Sequence, residues 1–161
     1  MPDQLRIYAE LYWEKMPPSQ IYFVETPSEG QRRLLCQWVE RFYEEGKRVQ
    51  VVVDSTMAAQ HLDQMLWTFS QESFVPHSIF AFNKSSDLIE PVVITVGEVL
   101  LEGFEVLVCD AGVTLDFMRN YSEVVHFVLR DDPEKKQESR LLWQSARELG
   151  LVLRHVPYAS R

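Results

Sequence analysis

Cysteine is scarce. Cys36 and Cys109 are the two in 161 residues, they have no CxxC spacing, and each sits inside an apolar pattern. That excludes a disulfide scaffold and a thiolate metal cluster, and it fits two buried, reduced thiols of a cytoplasmic protein. Long apolar runs are missing too. None approaches the ~20 residues of a membrane span. Met1 to Lys15 has no basic stretch followed by an apolar core, so no signal peptide is expected. Basic charge is also in short supply: 16 Lys and Arg stand against 24 Asp and Glu, a net charge of −8. Affinity for nucleic acid comes from neutralising phosphates with Lys and Arg. The balance therefore argues against a direct grip on DNA, and for any link to DNA running through another protein.

The fingerprints of common α/β enzymes are absent as well. The first β-α turn, Glu25-Thr26-Pro27-Ser28-Glu29-Gly30, is not GxGxxG, and Pro27 and Glu29 suit a pyrophosphate poorly. Neither GxxxxGK[ST] nor GxSxG occurs. His61, His77, His126 and His155 have no sequence-local partner that resembles a catalytic pair or a zinc motif. Two acids remain, Asp54 and Asp110, each directly after a predicted strand, where open α/β sheets bind ligands. Together they would suit a nucleotide- or metal-dependent enzyme. The plainer reading makes Asp54 a helix cap and Asp110 the start of an Asp-Ala-Gly turn, and that reading is preferred. No catalytic residue, cofactor or metal is expected.

What is present is ordinary globular material, 46% hydrophobic and 25% charged, enough for one domain with a real core. Leu5, Tyr8, Leu11 and Tyr12 fall at helical spacing before Pro17-Pro18, predicting an added N-terminal helix packed on the domain. Gln20 to Glu25 reads as a strand. Ser28 and Gln31 fit a capping box for a helix over about 28–45, whose apolar stripe is Leu34, Leu35, Trp38, Val39 and Phe42, with Gly46 just past its end. Arg48 to Val53 is a Val-rich strand of the buried parallel kind. Asp54-Ser55-Thr56 offers caps to a helix over about 56–69 that carries Leu62, Met65, Leu66 and Phe69. A short strand at 79–82, a polar turn at Asn83–Asp87, strands at 91–96, 104–109 and 123–129, and a short helix near 116–120 follow. The last helix, about 133–149, has Asp132 as N-cap, Pro133 at N1 and Gly150 as its stop, and Leu151 to Val156 closes the sheet. Alternating strands and helices predict an α/β domain with a mostly parallel central sheet and helices on both faces, a Rossmann-like three-layer arrangement.

Two stretches point to binding. On the last helix, Glu138, Leu142, Ala146 and Leu149, flanked by Leu141 and Ser145, read as the core stripe. Lys136, Arg140, Trp143 with Gln144, and Arg147 follow on another side. A Trp among three cations is unusual for solubility alone, although it also fits a Trp lapping over the edge of the core. The second stretch is Leu66 to His77, where Trp67, Phe74 and Pro76 stand among polar residues at a helix exit. Residue type alone favours tucking Trp67 and Phe74 under the domain. A contact surface is the alternative.

The phrase Leu66-Trp67, a polar linker and Ser73-Phe74-Val75-Pro76-His77 resembles the chi subunit of bacterial DNA polymerase III holoenzyme. Gly46-Lys47-Arg48-Val49, Leu62-Asp63, Glu123-Val124-Val125-His126-Phe127-Val128, Lys136-Gln137, Arg140, Arg147 and Gly150 continue the resemblance in order, over about residues 20 to 155. It divides the chain into an extension at 1–18 and a single chi-like domain at 19–161. It implies a protein without catalytic activity or cofactor, an accessory subunit of a DNA-directed DNA polymerase complex. Such a subunit joins a psi-like clamp-loader subunit, or a helicase competing for the same surface, to the C-terminal tail of single-stranded-DNA-binding protein. Carried over by position, Trp67, Phe74 and Pro76 match the psi or helicase surface. Val128, Lys136, Arg140, Trp143, Gln144 and Arg147 match the tail-binding surface. The chain departs from the family at Trp143-Gln144, where Tyr and then Lys are common, and in its N-terminal extension. DNA is then reached only indirectly, and no membrane is involved.

Overall fold

The computed structural model describes residues 18–81 and 90–159. The N-terminal helix and the polar turn at Asn83–Asp87 lie outside the described residues. Seven strands form one sheet: β1 (Gln20–Thr26), β2 (Val49–Val53), β3 (His77–Ile79), β4 (Val92–Val96), β5 (Val106–Cys109), β6 (Glu123–Leu129) and β7 (Val152–Val156). They lie in the order β3-β4-β2-β5-β6-β1-β7, and every pairing is parallel. Among the described residues, four helices accompany them: α1 (Gln31–Glu44), α2 (Thr56–Thr68), α3 (Leu115–Met118) and α4 (Pro133–Glu148). The domain is thus the three-layer α/β arrangement, with a sheet wholly rather than mostly parallel.

The central strands are buried on both faces, as β2 (Val-Gln-Val-Val-Val, buried throughout) shows. Their alternate side chains feed two cores. Val24, Val51, Val53, Ile94, Val108 and Phe127 pack with α1 and α2 on one face. Ile21, Phe23, Val52, Val93, Leu107 and Val124 pack with α3 and α4 on the other. In the second layer Gln50, a polar residue at 0% exposure, is held from three sides. Its amide nitrogen donates to the Thr95 hydroxyl at 3.1 Å and to the Val99 carbonyl at 2.6 Å, and its oxygen accepts from the Tyr121 hydroxyl. Full pairing is what makes an amide tolerable there.

The helix ends follow local chemistry, with one correction. Ser55 accepts from the Ala58 N–H at 3.1 Å, and Asp132 from the Lys135 N–H at 3.1 Å, with Pro133 opening α4. Gly46 and Gly150 take the left-handed conformation just past α1 and α4. The capping box expected at Ser28 and Gln31 does not form. The N-cap of α1 is Gly30, at φ 90°, without a side-chain cap. Ser28 is drawn away instead, its N–H and hydroxyl donating to the Asp131 carboxylate at 2.9 and 2.7 Å. The short strand expected at 79–82 lies earlier, at His77–Ile79, because His77 is the residue that pairs with Val92 at the start of β4.

Candidate partner-binding sites

The first site is built at the exit of α2. Ala58, Ala59, Leu62 and Leu66 seat that helix on the sheet. One residue on from Leu66, the helical rotation carries Trp67 off the core, where it is 46% exposed. Phe74 is 67% exposed, and the two rings lie 5.5 Å apart at 43°. Burial of Trp67 and Phe74, expected from residue type, is therefore not what the fold does. Their neighbours do the anchoring. Val75 is buried at 1% exposure, and His77 is buried with its ring 4.3 Å from that of Trp67. His77 Nδ1 is 2.7 Å from the Val75 carbonyl, and Nε2 lies 3.1 Å from both the backbone carbonyl and the carboxylate of Asp63. The loop is thus tied to α2 on both sides of the half-buried Pro76, and Phe74 is left standing out.

The second site is α4. Its buried residues are Ser139 and Ala146, with Leu142 and Trp143 packed partly against the second core. Glu138, Leu141, Ser145 and Leu149 are exposed, so the buried stripe is rotated away from the one expected, toward Ser139 and Trp143. The reason is two contacts from the strands below. The Trp143 ring meets Phe23 edge-on at 4.9 Å, and His126 Nε2 hydrogen-bonds the Ser139 hydroxyl at 2.8 Å. His126 itself meets Phe23 edge-on at 5.2 Å, and burial pushes its imidazole down to about 4. It is therefore neutral at physiological pH and serves as a strut under α4. Sequence reading found no partner for it, since Ser139 and Phe23 are brought to it by the fold.

Above this platform, Arg140, Gln144 and Arg147 are exposed and Lys136 and Trp143 are half-buried. The guanidiniums of Arg140 and Arg147 make no ion pair or hydrogen bond among the described residues. Val128, half-buried on β6, belongs to the same core edge as Trp143. The structure therefore gathers the carried-over residues on one helix and the strand below it, with Trp143 lapping over the core.

Asp54 and Asp110 do line a common cleft, of about 590 Å³, at the C-terminal ends of the strands. Asp54 is exposed. The Asp110 side chain is only 5% exposed, and both its oxygens are engaged by Arg32, at 3.2 and 3.1 Å. Arg32 also reaches His61 Nδ1 at 2.8 Å. A bidentate guanidinium occupies the lone pairs that a metal would need, and no cluster of three potential metal ligands occurs among the described residues.

The sequence model for "DNA polymerase III chi subunit, HolC" matches residues 18–154, most of the chain. The chain belongs to the DNA polymerase III chi subunit family. Membership places it among the proteins of DNA replication. Two relatives bear the name DNA polymerase III subunit chi. That of Pseudomonas aeruginosa is 27% identical over 124 residues, 75% of this chain and 82% of its own. That of Haemophilus influenzae is 25% identical over 105 residues, 65% of this chain and 72% of its own. Among solved structures, the crystal structure of T4 UvsW superposes on 87% of this chain with a TM-score of 0.62. This chain covers 41% of that protein at 8% identity, a likeness of fold alone.

Proposed function

We propose that this chi-family chain is a non-catalytic, cytoplasmic accessory subunit with two protein docks. One, Trp67 with Phe74 and Pro76, takes a psi-like clamp-loader subunit or a helicase. The other, α4 with Val128, takes the acidic C-terminal tail of single-stranded-DNA-binding protein. The observation that carries the reading is the exposed pair of rings, Trp67 and Phe74, with Trp67 packed on the buried His77. Exposed aromatics fixed by a buried framework are the usual form of an interface anchor, because little conformational entropy is lost when they are covered. The α4 surface supports the second dock. A chain of net charge −8 needs a local cationic exception to attract an acidic tail, and Lys136, Arg140 and Arg147 supply it. Arg140 can meet a terminal carboxylate with two parallel hydrogen bonds. The free part of Trp143 can receive the ring of the Pro-Phe ending such tails carry.

The experiment is affinity capture from the source cell, with the full chain as bait beside its Trp67→Ala/Phe74→Ala and Arg140→Ala variants. Single-stranded-DNA-binding protein and clamp-loader or helicase subunits are expected with the unaltered bait. The first variant loses the clamp-loader or helicase component and the second loses single-stranded-DNA-binding protein. Capture of neither class by the unaltered bait contradicts the reading.

A further inference from the structure

The roll of α4 about its own axis follows a serine rather than its leucines. Leu141 and Leu149 stand 54% and 48% exposed, while Ser139 is buried at 5%. Successive helical residues turn by about 100°, so a core side marked by Ser139, Leu142, Trp143 and Ala146 is rolled roughly 60° from the stripe of Glu138, Leu142, Ala146 and Leu149. Apolar burial does not account for that choice, because a hydroxyl gains nothing by leaving water unless it finds a partner. The partner is His126, whose Nε2 lies 2.8 Å from the Ser139 hydroxyl. One turn further along α4, on the same side as Ser139, comes Trp143, and its ring meets Phe23 edge-on at 4.9 Å. Phe23 and His126 are opposite each other in β1 and β6, and their rings meet at 5.2 Å. Ser139, His126, Phe23 and Trp143 thus close a circuit between one turn of α4 and the two strands beneath it.

The circuit decides how the outer side of the helix is presented. Arg140 and Arg147, three residues before and four after Trp143, are its neighbours on the helix surface, and both are exposed. On the unrolled stripe Trp143 would stand roughly twice as far from the core direction, clear of Phe23 and free to swing. The observed roll keeps part of its ring on the core and part in solvent. A ring and two guanidiniums already held in place lose less freedom when a partner arrives. We propose that His126 is the positioning residue of the α4 dock: through Ser139 it sets the roll that holds Trp143 against Phe23 between Arg140 and Arg147. This role rests on the reading of α4 as the dock for an acidic tail. His126 acts through the helix rather than on the tail, since its Nε2 is taken up by Ser139.

The test is calorimetric titration of the full-length chain with an acidic peptide ending in Pro-Phe, for the unaltered chain and for His126→Leu, His126→Gln and Ser139→Ala. His126→Leu and Ser139→Ala are each expected to weaken binding by about tenfold, within the range that coupled neighbours show. Combined, they weaken it no further than either alone, because one hydrogen bond carries both effects. His126→Gln, whose amide still reaches the Ser139 hydroxyl, keeps the affinity of the unaltered chain. The nuclear Overhauser contact between the Trp143 indole and the Phe23 ring reads the roll without any partner. It is expected in the unaltered chain and in His126→Gln, and lost in His126→Leu. Should His126→Leu fail to fold, Ser139→Ala set against His126→Gln decides. Unchanged affinity in the weakened variants, additive losses in the double variant, or a Trp143–Phe23 contact that survives His126→Leu overturns the role of His126 while leaving the dock in place. No binding by the unaltered chain overturns the dock, and the positioning role with it.

Discussion

Neighbouring residues in this fold divide the work of anchoring and display. Leu66 is buried and Trp67 exposed, Val75 is buried and Phe74 exposed. Composition alone assigns all four to the core, since type records hydrophobicity but not the direction a helix or loop gives the side chain. The direction is legible only once His77 is known to pin the loop. Trp67→Ala or Phe74→Ala is accordingly expected to change unfolding free energy by no more than about 1 kcal/mol, while each weakens partner capture by about 2 kcal/mol or more. Chemical denaturation beside affinity capture measures both. A collapse of the fold would return these rings to the core. His126 makes a prediction in pH. Its folded pKa, about 4, lies below the ordinary 6.5, so between these values the unfolded chain binds the extra proton. The stability His126 lends is thus complete above pH 6.5 and lost as pH falls toward 4, by roughly 3 kcal/mol. Urea denaturation between pH 7 and 4 is expected to show a shallower decline in His126→Gln, and equal slopes would remove His126 from the account.

Among the elements, α2 and α4 were readable from their caps, and the two reveal different things. Ser55, Asp132, Pro133 and Gly150 act as their residue types require. Asp132→Ala is expected to cost about 1 kcal/mol in thermal unfolding. Ser28 does not cap α1 because its N–H and hydroxyl are turned to donate to Asp131, far off in sequence, and Gly30 stands at the N-cap instead. The rotation of α4 was hidden for a similar reason. Leu141 and Leu149 outweigh Ser139 in any hydrophobic periodicity, yet Ser139 is buried because it meets His126. The strand segments were legible apart from β3, expected at 79–82 and found at His77–Ile79. What could not be read was their order, which sets β1 between β6 and β7 and brings Phe23 under Trp143.

Over the whole molecule, the proposed role puts the link to DNA in a partner, and the net charge of −8 suits that proposal, since a direct grip on DNA comes from Lys and Arg. The α4 surface must then work against the field of the rest, so tail binding is expected to weaken steeply with salt. The central claim is the dock on α4, and calorimetric titration with a peptide copying an acidic tail that ends in Pro-Phe tests it most directly. The account predicts roughly micromolar affinity, about −8 kcal/mol, distinctly weaker binding of the amidated peptide, and a loss of about 1.5–3 kcal/mol in Arg140→Ala. Equal binding of the free-acid and amidated peptides, together with unchanged binding in Arg140→Ala and Trp143→Ala, would contradict it.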